Sequence, residues 1–149
     1  MSRIRVTKEF DFEMAHALWN YDGACRNIHG HSYKLFVTIM GEPVADQNNP
    51  KLGMVLDFKD LKDIVKDTVV DFLDHSLVVY HKSDGEALSR VKGLYKKVHV
   101  LDFQPTCENL VMFVVHKIRS LLPPELELQA VKLYETATSY AEWYADDNK

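Results

Sequence analysis

Three histidines sit where their side chains could act together. His16 keeps the alternation of Phe10, Phe12 and Met14, and His29 and His31 keep that of Tyr33, Leu35, Val37 and Ile39. Side chains at i and i+2 of a strand point the same way, so each imidazole falls on the apolar face of its strand. If the two strands pair as an antiparallel hairpin, the three rings converge near the connecting loop. A buried polar group without a partner costs roughly 1–3 kcal/mol. A single zinc ion satisfies all three rings at once, and three protein ligands leave a fourth position open for substrate. The competing reading is a set of core histidines bonded to backbone.

Other residues bring chemistry of their own. Cys25 lies four residues before His29, in the loop expected beside the metal. A thiol near a divalent cation or an imidazolium can act as base or nucleophile. It can equally be a fourth ligand that closes a structural site, or an inert buried thiol; Cys107, at a helix start, is read as inert. Asp74 and His75 follow an amphipathic helix. A carboxylate near an imidazole holds its tautomer and tunes its basicity; alternatively the two are a helix-terminal pair, with His75 favoured by the C-terminal dipole. Glu135 shares parity with Val131 and Leu133 and is expected to point inward. A buried carboxylate must be matched by donors. A ring N–H beside an exocyclic amine, as in guanine-like and pterin rings, presents a two-pronged donor edge that one carboxylate fits. An internal salt bridge is the alternative.

The elements that must hold these groups follow from periodicity. Ile4 to Met14 and Tyr33 to Ile39 alternate as half-buried strands, the second ending at Gly41. Asp57 can cap a helix from Phe58, with Leu61, Ile64, Val65, Val69 and Phe72 at helical spacing. Ser83-Asp84-Gly85 reads as a turn and Val98 to Leu101 as a short strand, in a middle stretch, 76–104, that is otherwise not assigned. Pro105-Thr106 opens a second long helix through Leu122, which Pro123-Pro124 stops. Leu128 to Thr136 and Tyr140 to Tyr144 complete an α+β domain built on antiparallel strand pairs, one domain over 1–149.

Composition narrows the function classes. A formal charge of −4 with mixed signs gives no electrostatic footprint for nucleic acid. Residues 1–10 lack the apolar stretch of a signal peptide, and the longest aliphatic run, near Leu110 to Val115, is far short of a membrane span. Two cysteines make no disulfide framework, so a reducing cytoplasm is the expected compartment.

Taken in order, several segments resemble one known family. Phe12-Glu13-Met14-Ala15-His16-Ala17-Leu18 is similar to the first metal motif of the 6-pyruvoyl/6-carboxytetrahydropterin synthases, and Cys25-Arg26-Asn27-Ile28-His29-Gly30-His31-Ser32-Tyr33 to the second. Gly53 to Phe58, Leu73-Asp74-His75, Pro105 to Asn109 and Tyr134-Glu135-Thr136 follow in the family's order. The resemblance implies the tunnelling fold: an antiparallel sheet with two long helices on one face, subunits joining their sheets into a barrel. It implies a homo-oligomer, commonly a hexamer of two trimers, with the pocket between subunits. It also implies zinc on His16, His29 and His31, a catalytic thiol at Cys25, and a proton relay completed by Asp74 and His75. Glu135 would anchor a pterin, with Thr106 and Glu108 lining the ring. The short Cys25–His29 spacing looks more like the 6-carboxy branch, which implies 7,8-dihydroneopterin triphosphate as substrate and 6-carboxytetrahydropterin, acetaldehyde and triphosphate as products, on the route to deazapurines such as queuosine. The 6-pyruvoyl reaction on the same substrate and a non-catalytic zinc-stabilised binding module are the alternatives. Arg26 and the Arg90–Lys97 stretch are candidates to receive the triphosphate.

Overall fold

The computed structural model describes residues 2–149. β1 (Ile4–His16) and β2 (His29–Gly41) run antiparallel in unbroken register from Ile4 opposite Gly41 to His16 opposite His29. Both strands are longer than their alternating segments suggest, and the extra length carries the histidines. Phe10, Phe12, Met14 and His16 are buried on one strand, and Tyr33, Leu35, Val37 and Ile39 on the other. The parity argument therefore holds from Phe10 to His16 and from Tyr33 to Ile39, while Ile4 at the outer end is exposed.

Two helices cover this apolar face. α1 (Phe58–Val65) is capped by the Asp57 carboxylate, which accepts from the Lys59 N–H at 2.9 Å. It continues through a π-helical turn, Lys66–Val70, into the single turn of α2 (Asp71–Leu73). Leu61, Val65, Val69 and Leu73 form its buried stripe. β3 (Ser76–Tyr80), α3 (Gly85–Leu94) and β4 (Val98–Leu101) come next. The second covering helix, α4 (Cys107–Arg119), is capped by Thr106 and buries Leu110, Val111, Val114, Val115 and Ile118. It stops short of Leu122, the end expected from its spacing. β5 (Glu127–Thr136) and β6 (Ser139–Tyr144) close the order.

The six-stranded sheet runs β4-β3-β1-β2-β5-β6. Here the expectation of a sheet built wholly on antiparallel pairs is corrected. β3 lies parallel to β1, with Ser76 opposite Met14, and β4 lies parallel to β3. Parallel neighbours need a crossover connection, and α3 supplies it between β3 and β4. The sheet is thus mixed, although the α+β class and the two long helices on one face stand. The expected turn at Ser83-Asp84-Gly85 is the start of α3: Asp84 is its cap, accepting from the Ala87 N–H at 2.8 Å. Among the described residues, no helix is long and apolar enough to cross a membrane.

Candidate active site

His16, His29 and His31 meet at the loop end of the β1–β2 hairpin, with one potential ligand nitrogen from each ring within 4.8 Å of the others. Their surroundings fix which nitrogens those are. His16 Nδ1 lies 2.7 Å from the Pro105 carbonyl, and His29 Nδ1 lies 2.8 Å from the Asn27 carbonyl. A carbonyl can only accept, so both Nδ1 atoms carry hydrogen and both Nε2 atoms present lone pairs. Those Nε2 atoms face one another at 3.1 Å. Two lone pairs at that distance repel unless a cation or a proton sits between them.

A proton is the weaker candidate at His16. Burial lowers its pKa below 6.5; the Pro105 bond and the Glu135 charge oppose that, and His29 and His31 reinforce it. His31 Nε2 is buried without a hydrogen-bond partner: the Glu135 carboxylate is 3.2 Å away but out of line for one. Imidazoles bonded to backbone at the far nitrogen, as His16 and His29 are, with their lone pairs converging, suit a zinc site. The bonds to backbone belong to the alternative reading of core histidines, yet they are also what aims the free lone pairs inward.

Local sequence builds each support. The Gln104 side-chain amide grips both the N–H and the carbonyl of Trp19, at 2.9 and 2.7 Å, and so ties the segment before α4 to the end of β1. That tie brings the Pro105 carbonyl onto His16. Asn27 follows the 3₁₀ turn Ala24–Arg26, and its N–H donates to the Ala24 carbonyl at 3.1 Å.

Beside the cluster lies a cavity of about 230 Å³ bordered by His16, Thr106, Glu108, Glu135, Ser139 and Tyr140. The cavity thus places Glu135, Thr106 and Glu108 beside His16. Glu135 falls where the β5–β6 register shifts, between the Tyr134–Tyr140 and Thr136–Ser139 pairs. Such irregularities re-aim a side chain next to a site. Ser139 and Tyr140 were not anticipated; the turn after Glu135 carries the only signal for them, since a tight hairpin there must fold them back. Cys107 also borders the cavity, but burial, with Glu135 nearby, pushes its thiol up to about 11, and it donates to the Leu133 carbonyl at 3.3 Å. It stays protonated, in line with its reading as inert.

Cys25 is not among the converging ligand atoms. It sits half-buried in the 3₁₀ turn, and its carbonyl accepts from the N–H of Leu18, a residue of the cavity wall, at 2.9 Å.

Asp74 and His75 are a close pair, His75 Nδ1 lying 2.9 Å from Asp74 Oδ2. They stand elsewhere. With Glu13, Ser32, Lys96 and Lys97, His75 borders a cavity of about 590 Å³. Glu13 and Ser32 have the parity opposite to that of the histidine ligands, so this cavity opens on the other face of the sheet. Neither residue borders the cavity beside His16 and Glu135, although His31 borders the larger cavity together with His75.

Comparison with known proteins gives this geometry a context. The family model described as 6-pyruvoyl tetrahydropterin synthase matches residues 5–146. A protein of Haemophilus influenzae named 6-carboxy-5,6,7,8-tetrahydropterin synthase is 35% identical over 141 residues, covering 93% of this chain and 97% of that one. One of the same name from Rickettsia bellii is 32% identical, covering 93% and 99%. Among solved structures, the Caenorhabditis elegans 6-pyruvoyl tetrahydropterin synthase superposes with a TM-score of 0.70 at 24% identity, covering 97% of each chain. With the family model spanning nearly its whole length, the chain belongs to the 6-pyruvoyl tetrahydropterin synthase family.

Proposed function

We propose that the protein converts 7,8-dihydroneopterin triphosphate to 6-carboxy-5,6,7,8-tetrahydropterin, releasing acetaldehyde and triphosphate with one water consumed, on the route to deazapurines such as queuosine. The observation that carries the reading is the meeting of His16 and His29 Nε2 lone pairs at 3.1 Å beside the Glu135 cavity. The names of its relatives support the 6-carboxy reaction over the 6-pyruvoyl one.

When bound to His16, His29 and His31, zinc supplies Lewis acidity, drawing electrons from substrate oxygen and acidifying the adjacent C–H. The rest falls to the protein's own groups. Glu135 accepts from the ring N–H and exocyclic amine of the pterin, which sets the substituent at its 6-position toward the histidines. Thr106 and Glu108 line the ring. Cys25, as thiolate, takes the proton from that acidified C–H and returns it; His75, oriented by Asp74, exchanges protons with the substrate hydroxyls or with the thiol.

His75 must then come from another copy of the protein. Two features favour this. It opens on the far face of its own sheet, and the cavity beside the histidines is smaller than the roughly 300–1,000 Å³ of a complete small-molecule pocket. A cytoplasmic homo-oligomer, a hexamer of two trimers, supplies the second copy.

Two experiments test this. Incubation with 7,8-dihydroneopterin triphosphate and mass spectrometry of all products should give acetaldehyde in equal amount to the carboxypterin; a diketo pterin without acetaldehyde would establish the 6-pyruvoyl reaction instead. Mixing Cys25→Ala and His75→Ala subunits, each inactive alone, should restore partial turnover, since some interfaces then hold an intact cysteine and an intact histidine. No recovery in verified mixed oligomers would place both groups in one subunit. A non-catalytic zinc module would turn over nothing, and Cys25→Ala would cost it zinc if the thiol were a ligand.

A further inference from the structure

The turn that carries His75 is strained and heavily braced. His75 has φ of 57°, a left-handed conformation uncommon outside glycine. Such strain persists only where surrounding structure over-determines it. Three kinds of contact do so here. The His75 N–H donates to the Glu13 carbonyl at 2.6 Å, and the Glu13 N–H donates to Asp74 Oδ1 at 2.9 Å, fixing the turn to β1. The remaining braces come from the far side, from Lys97 just before β4 and His99 within it. Lys97 Nζ donates to the Asp71 carbonyl at 2.6 Å and also to the Asp74 carbonyl. His99 Nε2 lies 2.6 Å from the Phe72 carbonyl, its ring stacked on that of Phe72 at 3.7 Å.

These carbonyls belong to the end of α2, where the last turn of a helix leaves its acceptors unpaired. Cationic side chains favour that end and can bond its carbonyls. Lys97 is well placed to do so because its own carbonyl accepts from the Leu77 N–H at 3.0 Å, which holds its backbone beside β3.

We propose that Lys97 is a positioning residue for the Asp74–His75 pair: its ammonium bridges the carbonyls on either side of the helix end and locks the turn that holds the exposed His75 ring at the edge of its cavity. The inference rests on the reading of His75 as a proton-transfer group for its catalytic consequence, but not for its geometry. Electrostatics agrees with the contacts. Burial alone would raise the Asp74 carboxyl, yet the Glu13 N–H, the His75 ring and the Lys97 charge together hold it below the usual carboxylate value. The Lys97 charge is the smallest of these and acts in the same direction as the Glu13 and His75 contacts.

Lys97→Met in the zinc-loaded oligomer is the test. Its kcat on 7,8-dihydroneopterin triphosphate should fall on the order of tenfold to a hundredfold, with KM and zinc content unchanged, and Lys97→Arg should recover most of the loss. In a His75→Ala background, Lys97→Met should cost nothing further, since the residue it positions is gone. An unchanged kcat, or an equal added loss without His75, overturns the proposal. The ¹⁵N resonances of the His75 ring decide the geometry independently of activity. They should shift in Lys97→Met even if His75→Ala proves fully active, a result that would sink the relay but not the brace; unshifted resonances would sink the brace. Should Lys97→Met not fold, Lys97→Gln keeps one donor and carries the same comparison.

Discussion

At the end of the β1–β2 hairpin, three imidazoles are fixed by burial and by the carbonyls of Pro105 and Asn27; at the end of α2, Asp74 and His75 are fixed by hydrogen bonds to the Glu13 backbone of β1 and by the side chains of Lys97, just before β4, and His99. His16 is 1% exposed, whereas the His75 side chain is 77% exposed. The first region gathers its three rings from two strands of one subunit, and its Nε2 lone pairs face one another at close range. The second is braced at its backbone yet leaves its ring in the open. Burial and exposure divide the labour: a metal needs a dry, pre-aimed donor set, while a proton-transfer group can be presented across a boundary. The two regions should therefore respond differently to mutation, in ways that would break or refine this division.

The largest effect is expected at the histidines. His16→Ala removes the ring whose Nε2 faces that of His29 and should abolish stoichiometric zinc by elemental analysis. Turnover should drop by ~10³-fold or more, the several kcal/mol that a Lewis acid supplies. Full zinc occupancy in this variant would end the metal reading. Chelated wild-type protein should also become pH-sensitive. Burial lowers the folded-state pKa of His16 below 6.5, so the unfolded chain binds the proton first as pH falls. Stability should be flat above about pH 6.5 and decline as pH drops from there through the folded pKa. Urea titrations of the metal-free protein read this directly; a His16→Gln variant should lose that component of the slope.

Next comes the open region. His75→Ala should retain zinc and melting temperature but lose ~10²–10⁴-fold in kcat, the usual range for a general acid–base group. Loss of zinc there would tie the two regions together and defeat the contrast. Smaller still is Glu135→Gln, which keeps the size of the side chain but turns an ionised acceptor into a neutral amide. A hydrogen bond to a charged group contributes roughly 1.5–3 kcal/mol, so pterin binding, followed by fluorescence titration, should weaken by ~10–150-fold. An unchanged affinity would mean that Glu135 serves His31 alone, across their 3.2 Å contact.

The same contrast marks what could be read from the residues. Period-two alternation located both hairpin strands and placed His16, His29, His31 and Glu135 on inner faces, because each strand buries one side only. β3 escaped because Leu77, Val78, Val79 and Tyr80 form a continuous apolar run with no alternation, and its parallel pairing with β1 joins segments far apart in sequence. α3 escaped for the opposite reason: it buries no residue at all, so nothing sharpened its pattern. The supports of the site were the least legible. Carbonyls of Pro105 and Asn27 aim the histidines, and any residue could offer such a carbonyl equally well until the fold brings it near. The placement of His75 outside the cavity beside His16 is likewise invisible, since adjacency along the sequence says nothing of which face a turn opens on.

The smallest effects should appear at two helix caps that look alike on paper. Thr106 accepts from the Asn109 N–H at the start of α4, and Asp84 accepts from the Ala87 N–H at the start of α3. Replacing such a cap by alanine typically costs ~1 kcal/mol of helix stability. What the whole protein feels depends on whether that helix is part of the core. α4 buries five residues, so it cannot fray without opening the core, and Thr106→Ala should lower Tm by roughly 2–4 °C. α3 buries none, so it can open locally while the core stays shut. Asp84→Ala should therefore leave Tm in place and show only as faster amide hydrogen exchange within Gly85–Leu94. Equal Tm losses from the two variants would mean that α3 is packed against a surface that one subunit alone does not provide.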